Sequence, residues 1–159
     1  MIIAKIIDRK CLFETFPEYA LFFKNHNLVV PNFSVFVLKK WFHNEPQPTK
    51  ADLIKNCIYI NGNQIRHYDS GAWLVHELAH LYFHKKNGIF FNKPYPENIE
   101  EEFAFSCQFQ FLKEQGINKS NAFNLIKNAY SPKDFLAYQQ IFEYYWKQTN
   151  KIKLKNICI

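Results

Sequence analysis

From Gly71 to Phe83 the chain reads GAWLVHELAHLYF, and within that run only His76, Glu77 and His80 carry strongly polar side chains. A helix that is apolar nearly all round is buried on most of its surface, so the rest of the chain must wrap it. The three polar groups then need partners, because an unpaired buried polar group costs several kcal/mol. Any fold available to this sequence therefore has to bring further polar groups to this one stripe.

Two histidines four apart fall about 40° from each other on a helix face, so His76 and His80 can present two imidazoles to one ion from adjacent turns. Glu77 projects beside that ion, where a carboxylate can take a proton from water. This is the HExxH arrangement, in which zinc lowers the pKa of its water toward ~7 and the glutamate acts as general base. With the composition of this chain the pattern arises by chance about once in a hundred such sequences. The competing reading is a structural His-Glu-His network with no metal.

Catalytic zinc takes three protein ligands and leaves one position open. His84 is one more step of four along the helix, but rotation carries it away from His76, and it reads as a core or helix-end histidine. A metzincin would place Gly at 83 and His at 86, where this chain has Phe83 and Lys86. The better source is PYPENIEEEFAFSCQFQFL, residues 94–112. There Glu101, Ala104, Phe105 and Gln108 share a helix face, and the small Ala104 permits close approach to the histidine helix. Glu101 is the preferred third ligand, with Glu100 next. Glu97 and Glu102 also compete, and acidic residues in a first turn equally serve the helix dipole. One of the four is expected to orient a histidine from behind.

The sequence HELAH followed by EEFA resembles the gluzincin zinc metallopeptidases, and the short interval is similar to that of minimal gluzincins and short ImmA/IrrE-like proteins. The likeness covers about residues 57–112. It implies a zincin-like fold with a small sheet whose edge strand aligns a peptide, zinc held by His76, His80 and Glu101, and Glu77 as base. It implies a protein or peptide substrate. After Ala104 the chain has Phe105-Ser106, unlike ImmA/IrrE-like sequences, and no separate helix-turn-helix module is present. An oxyanion stabiliser is also expected, with His67, Tyr95, Tyr130, Tyr138 and Tyr144 as candidates that spacing does not separate.

At 159 residues the chain is read as one domain, and 48% apolar residues exclude a disordered chain. The class is α+β, with strands early and helices late. Helical spacing is expected over 11–27 with Pro17 as cap or kink, and a strand over 33–42. HNEPQPTK, 43–50, is expected as a loop. Residues 57–68 are expected as a hairpin turning at Asn61-Gly62, with an irregular edge strand as the rival. Asp69 or Ser70 is expected to cap the histidine helix, and Gly88 to close it. Helices are further expected from about Pro96 to Gln115, over 119–129 and over 132–148. The tail KIKLKNICI reads as a late strand or a frayed end.

The net charge is +6, but the lysines are scattered and arginine occurs only at Arg9 and Arg66. That is solubility charge rather than a nucleic-acid stripe. Cys11, Cys57, Cys107 and Cys158 are far apart, MIIAKIIDRK lacks a secretory pattern, and no run approaches a ~20-residue span. The expectation is a cytoplasmic protein with reduced thiols and no membrane partner. The alternative to an enzyme is a non-catalytic zincin-fold interaction protein that uses the aromatic-rich segment 117–148 as a partner surface, although such stripes usually face inward.

Overall fold

A computed structural model describes residues 1–42, 48–62, 71–88 and 99–149. The order of elements is β1 (Ile3–Asp8), α1 (Arg9–Thr15), α2 (Pro17–Asn25), β2 (Ser34–Leu38), β3 (Thr49–Asp52), β4 (Cys57–Asn61), α3 (Trp73–Asn87), α4 (Ile99–Glu114), α5 (Lys119–Lys127) and α6 (Pro132–Gln148). The class is α+β, as expected: a mixed four-stranded sheet in the N-terminal half and helices mostly in the C-terminal half.

The strand order is β1-β2-β4-β3. β2 pairs with β1 antiparallel and with β4 parallel, while β3 pairs with β4 antiparallel. β4, CIYIN, is buried at every position, which is why its sequence shows an unbroken apolar run rather than alternation. The rival edge-strand reading of 57–68 is thereby corrected: β4 is interior, between β2 and β3. The return strand of the expected hairpin lies outside the described residues. Gly62 follows directly, and a Cβ there would collide with the Leu38 carbonyl oxygen. Its glycine serves a close backbone approach between neighbouring strands.

Pro17 does not kink one helix but starts a second, at the first position of α2 after the break at Phe16. β1, a strand with no counterpart among those expected, is an edge strand exposed along most of its length. Exposure on both faces leaves no period-2 signal to read. The strand expected over 33–42 ends at Leu38, and the loop expected over 43–50 yields to β3 at Thr49, with 43–47 outside the described residues.

The helical core forms around α3, whose residues Trp73–Phe83 are all buried. α4 packs along it, and β3 also lies against it. Ala104 is fully buried, consistent with the close approach its size permits. α6 packs on α4 through rings: Phe105 stacks on Tyr145 at 5.8 Å and meets Phe142 at 5.0 Å. Phe135, Phe142 and Tyr145 are buried, so the aromatic stripe of the C-terminal half is largely core. Ser131 caps α6 through Asp134, with Pro132 in its first turn. Among the described residues no helix is long and apolar enough to cross a membrane, and Cys11 and Cys57 are free thiols.

Candidate metal centre

His76 and His80 come from adjacent turns of α3, and their Nε2 atoms face each other at 3.1 Å. Glu101, in the first turn of α4, turns its carboxylate onto the same point. Its Oε2 stands 3.3 Å from His76 Nε2 and its Oε1 3.3 Å from His80 Nε2. These three residues form a group that could hold a metal ion. Ligand atoms about 2.0–2.1 Å from a tetrahedral ion stand about 3.3 Å apart; the two imidazole nitrogens are near that spacing, and each is met by a different oxygen of Glu101.

Each histidine is held from behind. His80 Nδ1 donates to Glu100 Oε1 at 2.7 Å, which leaves Nε2 to the centre of the group. His76 Nδ1 meets Gln108 Oε1 at 3.0 Å, and Gln108 Nε2 donates to the Gly71 carbonyl at 2.6 Å. The four glutamates of 97–102 are thus sorted. Glu101 faces both rings and Glu100 orients one of them. Glu102 is turned elsewhere, with burial pushing its carboxyl up, and Glu97 lies outside the described residues.

Glu77 sits beside the triangle and is fastened to β3. Thr49 Oγ1 donates to its Oε1 at 3.1 Å and the Ala51 N–H to its Oε2 at 2.9 Å. β3 is an edge strand, and Ala51 turns its N–H away from β4 toward α3. A carboxylate offers about four acceptor sites, so Glu77 keeps capacity for a further proton donor. A cavity of about 450 Å³ runs along β3 and the turn after it, with Phe42, Ala51, Leu53, Tyr59 and Glu100 in its walls.

The electrostatics follow from three carboxyl groups converging on two imidazoles. Burial disfavours the His80 imidazolium, but the charge of Glu101 and the hydrogen bonds that His80 donates to Glu100 and Glu101 outweigh it and hold its pKa well above the ordinary value. Burial likewise opposes the Glu101 carboxylate, and the charge of His80 with the hydrogen bond it donates outweighs that and holds Glu101 well below the usual carboxylate range. Without a metal, a proton on His80 is the cation between these groups.

The expected caps and auxiliary residues fare unevenly. α3 begins not behind Asp69 or Ser70 but behind Ala72, which has φ 56° and no side-chain cap; Asp69 and Ser70 lie outside the described residues. His84 is in the last turn of α3, and its carbonyl receives the Gly88 N–H at 2.8 Å, so it is a helix-end histidine. Of the expected oxyanion candidates, His67 and Tyr95 lie outside the described residues. Tyr130 packs among Trp73, Tyr138 and Phe142, and Tyr138 and Tyr144 are exposed. Tyr145 was missed: burial and the charges of Glu102 and Glu101 push its phenol upward, which puts the ring in the field of the acidic start of α4.

No protein-family model matches the sequence, and comparisons with curated proteins and with solved structures return no match.

Proposed function

We propose that the chain is a zinc-dependent metallopeptidase of gluzincin type, acting on a protein or peptide. The observation that carries this reading is the convergence of His76 Nε2, His80 Nε2 and the Glu101 carboxylate, whose two oxygens each stand 3.3 Å from one ring, beside a glutamate anchored on an edge strand. The donor set of two imidazoles and one carboxylate suits zinc, with a fourth position left to water. Zinc, when bound, polarises a carbonyl and makes water a nucleophile near neutral pH.

The chain's own residues supply the rest. His76, His80 and Glu101 would hold the ion, and Glu100 fixes the His80 ring. Glu77 takes the proton of the attacking water and passes it to the leaving amine. Thr49 and Ala51 keep its carboxylate in place for both transfers. An extended peptide would lie along β3, whose flank forms one wall of the adjoining cavity.

Metal content by mass spectrometry tests the site. One zinc per chain is expected in the wild type, lost in His80→Ala and weakened in Glu101→Gln. Hydrolysis of denatured protein and mixed peptides by wild type tests the activity. A wild type that takes up no metal even after zinc addition would sink the reading. Full zinc occupancy with no cleavage of any substrate by wild type would instead favour a non-catalytic binding protein.

A further inference from the structure

Gln108 is an amide, so either of its two ends could face a histidine. Here the choice is made at its far end. The Gly71 carbonyl can only accept, so the group 2.6 Å from it is the NH2, and the oxygen is left for His76. An amide oxygen can only accept in turn, so the hydrogen on His76 must be on Nδ1. Gln108 is fully buried, and no solvent is at hand to offer its oxygen a substitute donor.

We infer that Gln108 is a positioning residue: it fixes His76 as the Nδ1–H tautomer and thereby aims the bare Nε2 at the metal position. Its value to a metal ion rests on the metallopeptidase reading above; the tautomer assignment does not. The two histidines are locked differently, His80 by a carboxyl group and His76 by a neutral amide whose orientation is borrowed from the backbone. That backbone is itself unusual. Gly71 precedes Ala72, a left-handed non-glycine residue that begins α3 without a side-chain cap, a conformation unfavourable for a residue with a Cβ. The hydrogen bond from Gln108 spans α4 to this turn, so one side chain holds both the start of α3 and the first histidine upon it.

The test is ¹⁵N nuclear magnetic resonance of the histidine rings in the metal-free protein, where protonated and bare ring nitrogens give well-separated shifts. Wild type is expected to show His76 protonated at Nδ1 and bare at Nε2. Gln108→Leu, which removes both hydrogen bonds, is expected to lose that preference and to bind zinc about 10–100-fold more weakly. Gln108→Glu retains an acceptor for His76 but cannot donate to Gly71; it is expected to keep the tautomer and lower the melting temperature. A hydrogen on Nε2 of His76 in wild type overturns the inference, as does an unchanged tautomer in Gln108→Leu. Should Gln108→Leu not fold, wild type and Gln108→Glu still decide, since Nε2–H in either one overturns it. A wild type that shows the Nδ1–H tautomer but binds no zinc would sink the metal reading while leaving the assignment intact.

Discussion

Glu77 is buried and fastened at both oxygens, yet it makes no contact in the metal triangle, and that separation gives it a sharp signature. Glu77→Gln preserves shape and should leave zinc stoichiometry at one per chain while reducing hydrolysis by about 10²–10⁴-fold, the usual worth of a general base; metal analysis and peptide cleavage on one preparation check it. His80 gives a second signature, through protons. Its pKa is raised well above 6.5 in the metal-free fold, so near neutrality it is protonated there, and an incoming metal must displace that proton. Calorimetry in buffers of different ionisation enthalpy should show about one proton released per zinc near pH 7, and zinc affinity falling as pH is lowered. Stability of the metal-free protein carries matching signs. The His80 contribution is complete below about pH 6.5 and lost as pH rises through its folded pKa. The Glu101 contribution is present above about pH 4.5 and lost as pH falls through its depressed value. At this scale the sequence made His76, Glu77 and His80 legible because one motif sets their spacing. Glu100 and Glu101 differ by one residue in a shared first turn, and only the rotation of α4 about its axis assigns one to the centre and the other behind His80. The signal for Gln108 was present in its shared face with Glu101 and Ala104, but its role depends on Gly71, 37 residues away.

Among the elements, helices with strong punctuation were readable to within a few residues: α6 from Ser131-Pro132, and α3 from its closing Gly88. Strands were not. β1 has no buried face to impose alternation, and β3 is four residues, TKAD, with no apolar pattern; both exist because β2 and β4 offer them a partner. Asn61-Gly62 is a strong turn signal, and the turn it predicts lies outside the described residues; within them, Gly62 is required by its contact with the β2 backbone. Two glycines therefore make contrasting predictions. At Gly88, φ is +77° and ψ −172°, and no atom of the described residues lies within 4 Å of an added Cβ, so Gly88→Ala is expected to act through backbone strain, of about 1–3 kcal/mol. Thermal unfolding should shift down by several degrees with zinc stoichiometry unchanged. At Gly62 the added methyl meets a carbonyl of the central sheet, so Gly62→Ala should destabilise through overpacking by about 1–3 kcal/mol. Because β4 pairs directly with β3, which carries Thr49 and Ala51, hydrolysis should fall in the folded fraction as well. Equal activity per folded molecule in both variants would show that β4 does not position Glu77 through β3.

Over the whole molecule, the triangle lies where α3 and α4 meet, and β3 is joined to the same place through Glu77. A metal there would tie the two central helices, and through them the sheet on one side and the aromatic packing of α6 on the other. The fold already brings together three side chains that could hold a metal ion, so zinc, if it is the ion they take, should act as a folding ligand by mass action. At a free zinc concentration 100 times its dissociation constant the gain is about 2.7 kcal/mol, which for a chain of this size corresponds to roughly 5–10 °C in melting temperature. The shift should grow with the logarithm of free zinc, reverse with a chelator, and vanish in His80→Ala. It should also widen as pH rises above neutrality, because the metal-free form then loses the His80 contribution while zinc no longer competes with a proton. Adventitious binding predicts otherwise: zinc held by the histidines and cysteines of the unfolded chain lowers the melting temperature. The sign of that shift, measured by scanning calorimetry against free zinc at two pH values, separates a folded metal centre from a chance pair of histidines on a buried helix.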